Sequence, residues 1–154
     1  MAIKTQVQNA NVQVDPLSFT AEIVILSGNN VQVYNRDIQE YVPDRSLVPM
    51  AILPKVAVSD PEKVMNGEQP LTGVEWYEGS PKQDGSNRIT ANDNYEIGDG
   101  SVEGFPQYAL KVKKNVPADS PIELFAIFFF TDKRKNTEVR VERSLPVYTS
   151  TYDS

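Results

Sequence analysis

Pro121-Ile122-Glu123-Leu124-Phe125-Ala126-Ile127-Phe128-Phe129-Phe130-Thr131-Asp132 is the most apolar run in the chain. Its isoleucines and phenylalanines favour an extended strand over a helix of the same length. The run is expected to be a central strand, with the other elements arranged to cover it. Phe128, Phe129 and Phe130 are consecutive, and successive side chains of a strand leave opposite faces, so at least one ring points away from the first sheet interface. Leaving that ring in water forgoes about 1.5–3 kcal/mol of burial. Phe129 is therefore a candidate subunit-interface residue, to be covered by the chain's own first residues or by another subunit, or else left exposed.

Working outward, Tyr108–Val112 alternates apolar and polar side chains before the turn Asn115–Pro121, and Glu138–Val147 alternates after the turn Lys133–Asn136. Leu71–Glu78 holds the only tryptophan, with Val74, Trp76 and Glu78 on one face and Glu75 and Tyr77 on the other, so Trp76 is expected in the core. Phe19–Leu26 and Val31–Tyr34 flank the turn tetrapeptide Ser27-Gly28-Asn29-Asn30 and read as a β-hairpin. Met50–Val58 is strand-like, and Pro54 inside it argues for an edge position or a bulge. Arg88–Thr90 and Tyr95–Ile97 are short strand candidates beyond the loop Gly79–Asn87, and no stretch sustains a helical period. Roughly eight to ten short strands at this spacing predict an all-β, antiparallel two-sheet sandwich, with a barrel as the main rival.

Residues 1–18 read as an extended N-terminal arm, rich in Gln and Asn, in which Ile3, Val7, Val12 and Val14 alternate weakly. These four are candidate subunit-interface residues if the arm lies on a neighbouring subunit; an edge strand or a disordered tail are the alternatives. Residues 19–149 are assigned to the sandwich, comprising the hairpin and loop of 19–49 and a core of 50–149, and 150–154 to a polar tail.

The balance of 15 Lys and Arg against 21 Asp and Glu gives −6, with no basic block to meet phosphates, so nucleic acid is not an expected partner. No disulfide is possible without cysteine. The first residues lack the apolar core of a signal peptide and no apolar run approaches the roughly 20 residues of a membrane helix, so synthesis in a cytoplasm and no membrane association are expected.

The chain also lacks histidine, so the commonest general base, the commonest metal ligand and the thiol nucleophile are all missing. Glu75 and Glu78 are three apart in a strand and point to opposite faces, which does not suit paired-carboxylate catalysis. Asn92–Gly100 is oxygen-rich but places no glycine where a calcium loop requires one, and reads as a solvated turn. Gly98-Asp99-Gly100 opens no helix and makes no phosphate cradle. Asp44 and Arg45 read either as a partner-binding pair or as an Asp capping a turn beside a solvated Arg. No catalytic residue, metal site or cofactor is expected.

The order of features from Met50 to Val147 resembles immunoglobulin-like domains: Leu53–Val58 as the strand before the core tryptophan, Val74–Tyr77 as the Trp-bearing strand, then Tyr108–Val112, Ile122–Phe130 and Glu138–Val147. The cysteines of antibody domains are absent, so no binding loop is carried over. The run Val42-Pro43-Asp44-Arg45-Ser46-Leu47-Val48-Pro49, followed by the Trp-Tyr strand, resembles small proteins of phages and prophages of gut Bacteroidetes. That resemblance implies a virion component assembled in the bacterial cytoplasm. Two function classes follow: a structural or interaction module of a large assembly, whose partners are protein subunits of its own or another kind, and a carbohydrate-binding or adhesive sandwich, in which exposed Tyr34, Tyr41, Tyr77 or Tyr108 stack on sugar rings of a glycan.

Overall fold

The computed structural model describes residues 16–152. Ile3, Val7, Val12 and Val14 lie outside the described residues, so the arm is neither placed nor excluded. The elements in order are β1 (Ser18–Ser27), β2 (Val31–Asn35), β3 (Glu40–Val42), β4 (Met50–Ser59), β5 (Gly67–Glu68), β6 (Gly73–Glu78), β7 (Tyr95–Ile97), β8 (Leu110–Val112), β9 (Ile122–Asp132) and β10 (Thr137–Tyr152). They form two sheets, one ordered β3-β2-β10-β9-β6 and the other β1-β4-β8-β7 with β5 also on β4.

The apolar run is β9, and it is interior, pairing with β10 on one side and β6 on the other. Alternation sends Leu124, Ala126, Phe128 and Phe130 into the core between the sheets, where Trp76, Ile52, Leu110 and Val112 meet them. Trp76 is 1% exposed and pairs in register with Ala126, so the largest ring of the core sits beside the smallest of β9's inward side chains. Phe19 of β1 and Phe130 meet edge to face with ring centres 5.5 Å apart, which joins the sheets.

The outward residues of β9 are Phe125, Ile127 and Phe129. Ile127 is nevertheless only 5% exposed, flanked in register by Glu75 and Glu142, with Tyr77 beside it across from Phe125. Phe129 is half-buried, its ring edge 3.5 Å from where a Cβ on Gly73 would stand, with Arg140 opposite. The sheet's own neighbours thus supply part of the cover this ring requires.

Several expectations are corrected. Phe19–Tyr34 is not a hairpin: β1 pairs with β4 in one sheet, whereas β2 joins the other, parallel to β10. The turn at Gly28 is a crossing between sheets. Gly28 has φ +82, and a Cβ there would stand 2.8 Å from Met50 Cα, so only glycine passes this point without strain. Residues 150–152 are not tail but the end of β10, in ladder with β2. Pro54 lies in an interior strand rather than at an edge. Its flank explains the tolerance: β8 pairs with Met50–Ile52 and β5 with Ala57–Val58, and among the described residues no strand pairs with the interval between on that side. Arg88–Thr90 contributes only an isolated bridge, Tyr77 to Arg88.

The loop after β4 is tied to the β9–β10 turn by buried charge. Asp60 accepts backbone bonds from Glu62 (3.0 Å), Val64 (2.9 Å) and Met65 (3.1 Å), while Arg134 stands 3.6 Å from Asp60 and 3.2 Å from Asp132. Burial pushes both carboxyls up, but backbone donors and Arg134 at Asp60, and the Arg134 contacts at Asp132, outweigh it and hold them below the usual carboxylate range. Groups with depressed folded values stabilise the fold above the unfolded pKa and lose that contribution as pH falls through the folded one. The urea midpoint is therefore expected to be flat from neutrality down to about pH 5 and to fall below about pH 4. Asp60→Asn should lower the neutral plateau and flatten the acid limb.

Candidate interaction surface

Beyond Ile122, the first residue of β9, the first sheet continues as a ribbon of three strands. β10 pairs with β9 from Thr137 to Val147, and from Tyr148 to Tyr152 it pairs with β2, which pairs in turn with β3. Gln32 and Thr149 face each other in register and are both buried, which fixes the inner face. Val31, Val33, Tyr148, Ser150 and Tyr152 then occupy the outer face, together with Val42, the partner of Val33. Val33 is 36% exposed, Val42 54%, Tyr148 44% and Tyr152 52%. Apolar side chains standing together in water on a regular sheet are characteristic of a docking face.

The inner face is held by a buried polar network. The Gln32 amide donates to Pro43 O (2.8 Å) and Asn115 Oδ1 (2.6 Å), and its oxygen accepts from Arg45 Nη1 (2.6 Å) and Val116 N (3.0 Å). Arg45 also donates to Asn29 O (2.8 Å), and Thr149 Oγ1 donates to the Val116 carbonyl. The ribbon is thereby bolted to the loop after β3 and to the segment before β9. Arg45 is fully buried, not solvated, and burial pushes its guanidinium down to about 10. Its Nε has no partner among the described residues. Asp44 does cap its turn, accepting from Ser46 N (3.0 Å), and bonds to Ser46 and Asn115 hold its carboxyl below the usual range.

Of the four tyrosines assigned to sugar stacking, only Tyr34 and Tyr41 are brought together. Tyr77 is 7% exposed, and its hydroxyl donates to Glu75 (2.6 Å), which raises its pKa. Tyr34 and Tyr41 are half-buried with their rings 4.9 Å apart on each other, and Tyr108, also half-buried, donates to Thr72 O (3.2 Å). Glu75 and Glu78 do part to opposite faces, Glu78 accepting from Tyr95 OH (2.6 Å) with Lys114 at 3.3 Å. Burial, and then that bond, push the Tyr95 hydroxyl up. A depression of about 300 Å³ lies beside them, lined by Asn87, Arg88 and Asn92 among others. The Asn87 amide is spent on the carbonyls of Glu78, Gly79 and Ser80, and the Asn92 side chain on the amides of Asn94 and Tyr95. Asp99 likewise accepts from Ser101 N (2.9 Å), so the oxygen-rich loop is used for its own turns. Among the described residues no group of three or more acidic side chains is placed to hold a metal ion.

The fold and this face define an all-β, two-sheet protein with apolar side chains exposed on the outer face of one three-stranded ribbon. No family model, no curated protein and no solved structure matches the chain.

Proposed function

We propose that the chain is an immunoglobulin-like interaction module of a larger protein assembly, acting by contact rather than by catalysis. The assembly we propose is a phage virion, head or tail, on the resemblance of Val42–Pro49 and the Trp-Tyr strand to small proteins of phages and prophages. The observation that carries the reading is the outer face of the ribbon, where Val33, Val42, Tyr148 and Tyr152 are presented to solvent on strands fixed from beneath. A flexible apolar segment would pay ordering entropy on binding; a sheet locked by the Gln32 network has already paid it. The immunoglobulin-like part is supported by strand order. β1-β4-β8-β7 and β6-β9-β10 correspond to the A-B-E-D and C-F-G sheets of that architecture, with Trp76 on the strand equivalent to C. β2 and β3 are additions on the far side of β10.

Sedimentation velocity on the 154-residue chain over a range of concentrations tests the reading. The chain is expected to self-associate, or to co-sediment with a protein from its source, and Val33→Glu and Tyr148→Glu should each abolish this while leaving the thermal melt unchanged, since both side chains are exposed. Association untouched by both substitutions would remove the ribbon from the account.

A further inference from the structure

β1 ends its sheet: β4 pairs with it on one side, and no strand among the described residues pairs with it on the other. The direction of its unpaired backbone groups follows from the ladder. Val56 O accepts from Gln69 N (2.9 Å) on the far flank of β4, so the pair Ala21–Val56 exchanges no bonds and Ala21 turns its N–H and C=O away from β4. Alternation turns those of Phe19 and Ile23 the same way. The strand runs for ten residues with one charge, Glu22, and no proline, and Ile25 and Leu26 near its end are 40% and 39% exposed. A long apolar edge of this kind pairs with other chains unless something blocks it.

The block comes from the other sheet. Val139, Val141, Leu145 and Val147 are the inward residues of β10, and Arg143 occupies the place between them that alternation reserves for an apolar side chain. It stays out of the core, exposed at the corner where β10 passes β1. Its Nε donates to Ala21 O (3.0 Å) and its Nη1 to Glu142 O (2.8 Å). Glu142 O lies on the unpaired side of β10 as well. Pro146 O accepts from Asn30 Nδ2 (2.9 Å) and Tyr148 N donates to Asn30 O (3.2 Å), so even-numbered residues of β10 turn toward the β2 side, where the ladder with β2 begins only at Tyr148. One guanidinium thus occupies an acceptor on each of two strand edges. A charged side chain at an inward position is one of the ways a sheet edge is kept from pairing.

We propose that Arg143 guards this seam, and that without it β1 pairs antiparallel with β1 of a second copy. A two-fold axis at Ala21 would set Phe19 opposite Ile23 and Glu22 opposite Thr20, so the pairing brings no like charges together. The guard leaves side-chain faces, not backbone edges, as the surfaces open to association. It stands whether or not the ribbon is one of them.

The test places Arg143→Ala in the Val33→Glu chain and compares it with Val33→Glu itself, so that the ribbon contributes to neither. Sedimentation velocity is expected to show species of at least twice the mass in the double variant, with the amides of Phe19, Ala21 and Ile23 slowing in hydrogen exchange as concentration rises. Adding Ala21→Pro removes an N–H that serves no bond to β4 and should return the mass to that of Val33→Glu. Should the double variant lose its circular dichroism spectrum, Arg143→Lys replaces Arg143→Ala and should give a smaller increase of the same kind, because an ammonium cannot span both carbonyls as the guanidinium fork does. An unchanged mass in whichever variant is folded, even with a lower melting temperature, overturns the guard and leaves Arg143 as a brace between the sheets. Larger species whose protection falls outside β1 overturn it as well.

Discussion

Trp76→Ala is expected to lower the unfolding free energy by about 3–5 kcal/mol. The side chain is 1% exposed at the junction of both sheets, among Leu110, Val112 and the inward residues of β9. Its Nε1 donates to Tyr108 O (3.0 Å), so truncation opens a cavity and also orphans a carbonyl. Domains of this size are stable by only about 5–15 kcal/mol, so the loss is a large share of the total and should lower the melting temperature on the order of 10 °C. Thermal and urea melts read it directly. A variant that melts with the parent would mean that Trp76 is not in the core, and the two-sheet packing would be wrong.

Gln32→Leu is the second large expectation, a loss of about 3–5 kcal/mol from a change that keeps side-chain size. Gln32 is fully buried and is the acceptor for both Arg45 Nη1 and Val116 N. An apolar side chain leaves a buried guanidinium and a backbone N–H without that acceptor, and removes donors from Pro43 O and Asn115 Oδ1. The loss should be local first: amide exchange should quicken in β2 and β3 before β4 or β9. A loss under about 1 kcal/mol would show that the network does not hold the ribbon.

The core was legible in the sequence because there apolar side chains follow the period of the strand. The run around Phe128 and the placing of Trp76 follow from that period, and the structure agrees with both; of Tyr108–Val112 only Leu110–Val112 is strand, because Tyr108 sits in a turn at φ +75. The ribbon was not legible, because its inner face is polar. Gln32 between two valines reads as the solvent side of a strand, yet it is the valines that face out and the glutamine that is buried. Arg45 beside Asp44 reads as a solvated loop cation, and only the tertiary partners Gln32 and Asn29 show otherwise. Ser150–Tyr152 is poor in aliphatic residues and so reads as a tail, although Thr and Tyr are good strand formers and that signal was present. The hairpin expectation failed at Gly28, because a turn sequence states that the chain bends and not which sheet it enters next.

Amide hydrogen exchange of the 154-residue chain, compared at low and high protein concentration, tests the central claim most directly. The account predicts that added protection on association maps to Val31–Val42 and Tyr148–Tyr152. Protection that instead gathers around Glu78, Asn87 and Tyr95, or that does not change with concentration or with an assembly partner present, would contradict it.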